Sequence, residues 1–150
     1  ETKTMKHLLY IYVAAGMLFS CDLVPSSNGD FDGFWQMTSV DTLSNGNGED
    51  TRESLVFWSV QKRLLEMKHL ATTGNRAPHI FFRFERGSDR LVIYDPIIDN
   101  RDSSDLIVRD TSCFNIYGID RVPDTLTIVT LTNDRMVLYT NRLKMTFRKY

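Results

Sequence analysis

From Gly33 onward, apolar residues recur at every second position and are interrupted by short runs of Gly, Asn, Asp and Ser. A period of two marks a strand with one face in a core and the other in water. The pattern predicts strands over residues 34–43, 55–61, 64–70, 79–86, 90–95, 125–131, 135–140 and 143–149. Ile80, Phe82 and Phe84 share one face against Phe81, Arg83 and Glu85, and Leu143, Met145 and Phe147 oppose Lys144, Thr146 and Arg148. Between the strands lie Ser44-Asn45-Gly46-Asn47-Gly48, Thr73-Gly74-Asn75, Arg86-Gly87-Ser88-Asp89, Asn133-Asp134 and Asn141-Arg142. These supply the Gly, Asn and Asp that left-handed turn positions tolerate. Short links make sequential strands pair antiparallel as a meander. The one long interruption runs from Asp99 to Asp124, with a single helical turn expected over residues 103–108.

About eight strands in a meander leave two exposed edges unless the sheet closes on itself. Closure gives an all-β, antiparallel up-and-down barrel whose last strand lies beside its first. Arg148 and Lys149 then come to rest next to Gly33-Phe34-Trp35. The bulky side chains expected inside are Trp58, Phe82, Phe84, Met136, Met145 and Phe147.

The segment ahead of the strands has a different character. Lys6 and His7 precede the apolar run 8–19, and Ser20-Cys21 follows at once. A basic start, a short apolar stretch and a small residue before the cut describe an export signal. The run is shorter than the roughly 20 residues a membrane-spanning helix needs. Leu18-Phe19-Ser20-Cys21 resembles the lipobox of bacterial lipoproteins, which implies a signal peptide over 1–20 and a lipid on Cys21. Residues 21–30 are rich in Pro, Ser, Asn and Gly, and read as a lipidated cysteine on a flexible tether. Stretched out, the tether reaches about 30 Å at most. The folded domain is expected over 31–150.

With 42% hydrophobic and 25% charged residues, the chain has the balance of one ordinary globular domain. A net charge of −1 argues against nucleic acid as a partner, because phosphate contacts need clustered Lys and Arg. Lys62 and Arg63 adjoin, but Arg83, Arg86, Arg90, Arg101 and Arg109 alternate with Glu85, Asp89, Asp102 and Asp110 as on a solvated surface. Of the two cysteines, Cys21 is assigned to the lipid. Cys113 then stands alone in Thr111-Ser112-Cys113-Phe114 and reads as a small buried apolar residue.

Three segments carry a resemblance to the lipocalin-like domains of exported lipoproteins in Gram-negative gut-type bacteria. Gly33-Phe34-Trp35 is similar to the Gly-x-Trp of the first lipocalin strand. Tyr117-Gly118-Ile119 followed by Leu126-Thr127-Ile128 resembles the middle of the domain, and Met136-Val137-Leu138 followed by 143–149 resembles its closing hairpin. The resemblance implies a basic side chain, Arg148 or Lys149, packed over Trp35 at the closed end. The chain is smaller than true lipocalins and lacks their terminal helix and disulfide, which leaves less room for a pocket.

No nucleophile elbow, zinc-protease helix, phosphate-binding glycine loop or dinucleotide fingerprint is present, so neither an enzyme nor a cofactor is expected. His69 and His79 flank one turn without a third metal ligand at suitable spacing. Asp95, Asp99, Asn100, Asp102 and Asp105 offer hard oxygens without the order of a calcium loop, and read as turn formers. Asp95 and Asp99 as paired hydrolytic acids rest only on the abundance of carboxylates. The expected protein is a lipoprotein on the outer membrane, facing the periplasm or the surface. Its barrel is expected to bind a small, partly apolar ligand through Trp58, Phe82, Phe84, Met136 and Met145. The alternative is a filled barrel that docks to a protein through its loops, especially 95–124.

Overall fold

The computed structural model describes residues 26–70, 79–98 and 106–150. The signal-like segment, Cys21, the turn 73–75 and the oxygen-bearing residues Asp99, Asn100, Asp102 and Asp105 lie outside the described residues. The strands are β1 (Gly33–Thr42), β2 (Gly48–Asp50), β3 (Val56–Gln61), β4 (Leu64–His69), β5 (Ile80–Arg86), β6 (Arg90–Ile98), β7 (Leu106–Ile107), β8 (Asp124–Leu131), β9 (Arg135–Tyr139) and β10 (Leu143–Lys149). Eight of them follow one another around the sheet as β1-β3-β4-β5-β6-β8-β9-β10, and β10 pairs back on β1. The closed antiparallel barrel expected from the alternation is therefore formed. Its seam runs in register from Trp35 opposite Lys149 to Thr42 opposite Leu143, with one irregularity between Met37 and Ser39.

Two short strands were not foreseen. β2 lies within and beyond the glycine-rich turn after β1 and pairs with Ser39, Val40 and Asp41. β7 pairs Leu106 and Ile107 with Ile98 and Ile97 of β6, so these two residues are extended where a helical turn was expected. They gain a strand partner because β6 runs three residues past its expected end. Asp95 adopts φ 49°, and between Arg83 and Phe81 the paired residues on β6 skip from Tyr94 to Ile97. That bulge absorbs the one residue that breaks alternation and lets the strand resume.

The helical turn falls later, as a 3-10 segment over Thr111–Tyr117. Asp110 Oδ1 accepts the Ser112 N–H at 2.9 Å and starts it. Gly118 ends it at φ 80°, where its N–H reaches the carbonyls of Phe114 and Asn115. The segment drops Phe114, Tyr117 and Ile119 into the core, all fully buried. Each such side chain stabilises the fold by roughly 1.5–3 kcal/mol relative to exposure. The second half of the long 95–124 connection is thus a plug at one end of the barrel, not a free docking arm.

The other end, where the chain enters β1, is closed by a 3-10 turn over Gly29–Phe31. Phe31 is fully buried and meets the Phe84 ring edge-on, with centroids 5.3 Å apart. Trp35 Nε1 donates to the Phe31 carbonyl at 2.8 Å. Asn28 Nδ2 donates to the Lys62 carbonyl at 2.6 Å and fastens the segment to the β3–β4 turn. Gly33 turns the chain from this plug into β1 at φ 125°, and a Cβ there would stand 3.0 Å from Lys149 Cε. The glycine is needed both for the backbone angle and for the close approach of Lys149.

A Cβ added to Gly118 would overlap Met145 Sδ, and its positive φ strains any side chain. We expect Gly118→Ala to lower stability by about 2–4 kcal/mol from overpacking and backbone strain. Urea denaturation followed by tryptophan fluorescence measures it; an unchanged midpoint would mean that the 111–119 plug does not pack as described.

Candidate functional site

The barrel interior is built by strand alternation, and it receives every side chain assigned to it from sequence. Trp58, Phe82, Phe84, Met136 and Met145 all belong to one buried cluster. Four of them meet a partner from within the chain. Trp58 tilts against Phe147 at 4.9 Å, and Phe82 meets Phe114 at 5.4 Å. Phe84 is covered by Phe31, and Met145 by the backbone at Gly118. Sequence reasoning missed Phe31, Phe114 and Tyr117, because they come from segments without strand periodicity.

The polar groups inside are few. Trp58 Nε1 is buried and has no hydrogen-bond partner among the described residues. Burial pushes the Tyr117 hydroxyl up to about 12, helped by the neighbouring Cys113 and Glu66, so this phenol stays neutral. Asp124 is buried as well: its Oδ1 accepts from Arg121 Nε at 3.1 Å and from the Thr125 N–H at 2.9 Å. The interior is therefore mainly apolar, with the Trp58 indole N–H as a donor and the Asp124 carboxylate, paired with Arg121, as its acid.

The other candidates are not brought together into a site. His79 Nδ1 lies 3.0 Å from Glu66 Oε1, and Lys68 holds the same carboxylate at 3.0 Å. Among the described residues no three His, Cys, Asp or Glu could hold a metal. Asp95 is exposed at its bulge, and Asp99, the partner expected for it, lies outside the described residues. Cys113 is partly buried at the edge of the core, and its Sγ donates to the Asp110 carbonyl at 3.2 Å. Burial and the Asp110 charge push its thiol up, which is the reverse of an activated nucleophile.

The basic side chain over Trp35 is Lys149, with Nζ 4.7 Å from the ring and 2.9 Å from the Asp30 carbonyl. Assigning Arg148 to this position is corrected by the register. Trp35 pairs with Lys149, whereas Gln36 pairs with Arg148. Arg148 therefore stands on the outer face, donating to Gln36 Oε1 at 2.9 Å and lying over the Tyr150 ring.

With this geometry in place, likeness to known proteins decides the family. The model of the lipocalin-like domain matches residues 16–150. The chain belongs to the lipocalin-like domain family. Two solved structures resemble this lipocalin-like domain. A crystal structure of a lipocalin-like protein from Bacteroides uniformis ATCC 8492 is 20% identical, with TM-score 0.62, over 81% of this chain and 100% of that one. An uncharacterized protein from Bacteroides eggerthii DSM 20697 is 21% identical, with TM-score 0.61, over 79% of this chain and 98% of that one. No functionally curated protein matches. A lipocalin-like barrel is generally a binding fold, compatible with a small hydrophobic ligand.

In this lipocalin-like domain the contact over Trp35 ties the seam to the plug. We expect Lys149→Ala to cost about 1–2 kcal/mol, the upper range of a cation–π contact. Arg148→Ala should cost less than about 1 kcal/mol, the loss of one partly exposed hydrogen bond. Thermal melts of the two variants check the order; equal losses would contradict the separate roles of the two side chains.

Proposed function

We propose that this protein is an envelope lipoprotein, held by a lipid on Cys21, whose barrel binds a small, partly apolar and uncharged ligand and performs no catalysis. The anchor reading is supported by the basic, apolar and Ser20-Cys21 order ahead of the domain, over whose last part the family match extends. The binding reading is carried by the Trp58 indole N–H. An unsatisfied buried donor costs about 1–3 kcal/mol, so an acceptor atom is the natural complement to it. Phe147 tilts against the Trp58 ring, and Phe82, Met136 and Met145 belong to the same buried apolar cluster. The localisation that follows is the outer membrane, on either of its faces.

Native mass spectrometry of protein purified without detergent tests the binding reading, and bound mass is the expected result. Trp58→Phe should keep the fold while weakening that ligand about 3–10-fold, the worth of one neutral hydrogen bond. Retention of full affinity would remove Trp58 from the site. Labelled palmitate in the host tests the anchor: incorporation should be lost with Cys21→Ser, and absence from the parent chain would overturn it.

A second reading has its own observation. Phe31 and Phe114 cover Phe84 and Phe82 from opposite ends, as a barrel filled by its own side chains requires. Protein free of bound mass together with a solid interior would favour that reading, in which the outer surface docks to a protein of the envelope.

A further inference from the structure

On the outside of the barrel, the β3–β4 turn carries Lys62 and Arg63, and the register beyond it sets Leu64 beside Arg83 and Arg83 beside Tyr94. Two adjoining hollows of about 310 and 290 Å³ share Arg63, Phe84 and Tyr94, and the larger also takes in Lys62 and Arg86, with Glu85 as its acid. Lys62, Arg63, Arg83 and Arg86 are all exposed. None of them forms an ion pair or a side-chain hydrogen bond among the described residues. Elsewhere on the barrel, cations sit against carboxylates: Arg52 on Asp50, Lys68 on Glu66, Arg121 on Asp124, Arg142 on Asp120 and Lys144 on Asp41. Arg90 and Arg135 are exposed without such a partner among the described residues as well, so what distinguishes this side is that four unpaired cations adjoin around two shared hollows. Amid them Leu64 is 49% exposed, and Tyr94 is half-buried.

The position of this patch says what meets it. Ser27 and Asn28 line the larger hollow, so the chain arriving from Cys21 enters the fold beside these cations. Residue 21 lies at most roughly 20 Å along the chain from Ser27. A lipid there keeps the patch within a short distance of the bilayer, where cations gain from anionic lipids within about one Debye length. The charges spread over a turn and a strand and face solvent, and Asn28, the buried polar side chain at the larger hollow, spends its amide donors on Asp32 and the Lys62 carbonyl. That is the form of a broad electrostatic contact, not of a pocket for one small anion.

We propose that Lys62, Arg63, Arg83 and Arg86 form the membrane-facing surface of the domain, in contact with the phosphates of an anionic lipid layer, with Leu64 and Tyr94 entering the head groups. The orientation rests on the Cys21 anchor proposed above. The patch turns an anchored barrel from a freely tumbling one into one docked by a defined side, with the 111–119 end directed away from the bilayer.

Co-sedimentation of the full chain carrying Cys21→Ser with lipid vesicles tests it. Vesicles of phosphatidylcholine report whatever the apolar segment 8–19 contributes, and vesicles with added phosphatidylglycerol report the patch. Tighter binding to the anionic vesicles is expected, weakening as salt rises. Lys62→Glu, Arg63→Glu and Arg86→Glu together should reduce it by about 100-fold or more, as three charges near the surface imply. Lys62→Arg, Arg63→Lys and Arg86→Lys together should retain it, and both triple variants should bind phosphatidylcholine like the parent. Equal binding of the parent and the reversed variant to anionic vesicles overturns the proposal. Displacement by inorganic phosphate, beyond that by sodium chloride at equal ionic strength, also overturns it in favour of a small-anion site. Palmitate labelling reports separately on the anchor: labelled protein without a vesicle preference sinks the patch alone, whereas unlabelled protein with that preference sinks the anchor and supports the patch.

Discussion

The pairing of β1 with β10 is the constraint on which the rest of this molecule depends. Without it the sheet would present two open rows of backbone donors and acceptors, and its apolar face would have nothing to enclose. The seam is fixed at the Gly33 end by a small set of groups acting together. Gly33 gives the chain the angle to enter β1, Trp35 holds the Phe31 carbonyl, and Lys149 lies over Trp35 from the last strand. First strand, last strand and end plug are thereby joined at one point, so closure of the barrel and closure of its end are one event.

Much of this was legible from the sequence because alternation is a local signal with a global consequence. Ile80, Phe82 and Phe84 fall inside as their spacing requires, and Leu143, Met145 and Phe147 face inward from the seam strand. What escaped was the part of the core supplied by residues without a period. Phe31 follows a tether-like run, and Phe114 and Tyr117 lie in a connection whose Ser, Asn and Asp content reads as solvent-exposed. Their burial depends on tertiary packing against Phe84, Phe82 and Met145, which no window of sequence contains. The choice between Arg148 and Lys149 was likewise a matter of one residue of register, and such a shift exchanges the faces of a strand.

The same logic applies to the outer charges. Along the chain, Arg83 and Arg86 stand beside Glu85 and Asp89, and the run reads as balanced. The sheet, however, brings the β3–β4 turn to β5, so cations distant in sequence gather while Asp32 is engaged by Asn28. Local balance and spatial imbalance are compatible whenever a register adds neighbours that the chain order does not.

One minor element bears on how copies of this domain meet. β2 pairs with β1 and leaves its outer edge bare, so the closed barrel still carries, as at β7, a short strip of free backbone. That strip is Gly48-Glu49-Asp50, wholly exposed, with Asp41 close by. Three residues are too few to template a ladder, and their negative charge repels an identical strip on a neighbouring copy. Wherever copies of this domain crowd together, that frayed lip is blunted against zipping onto the next.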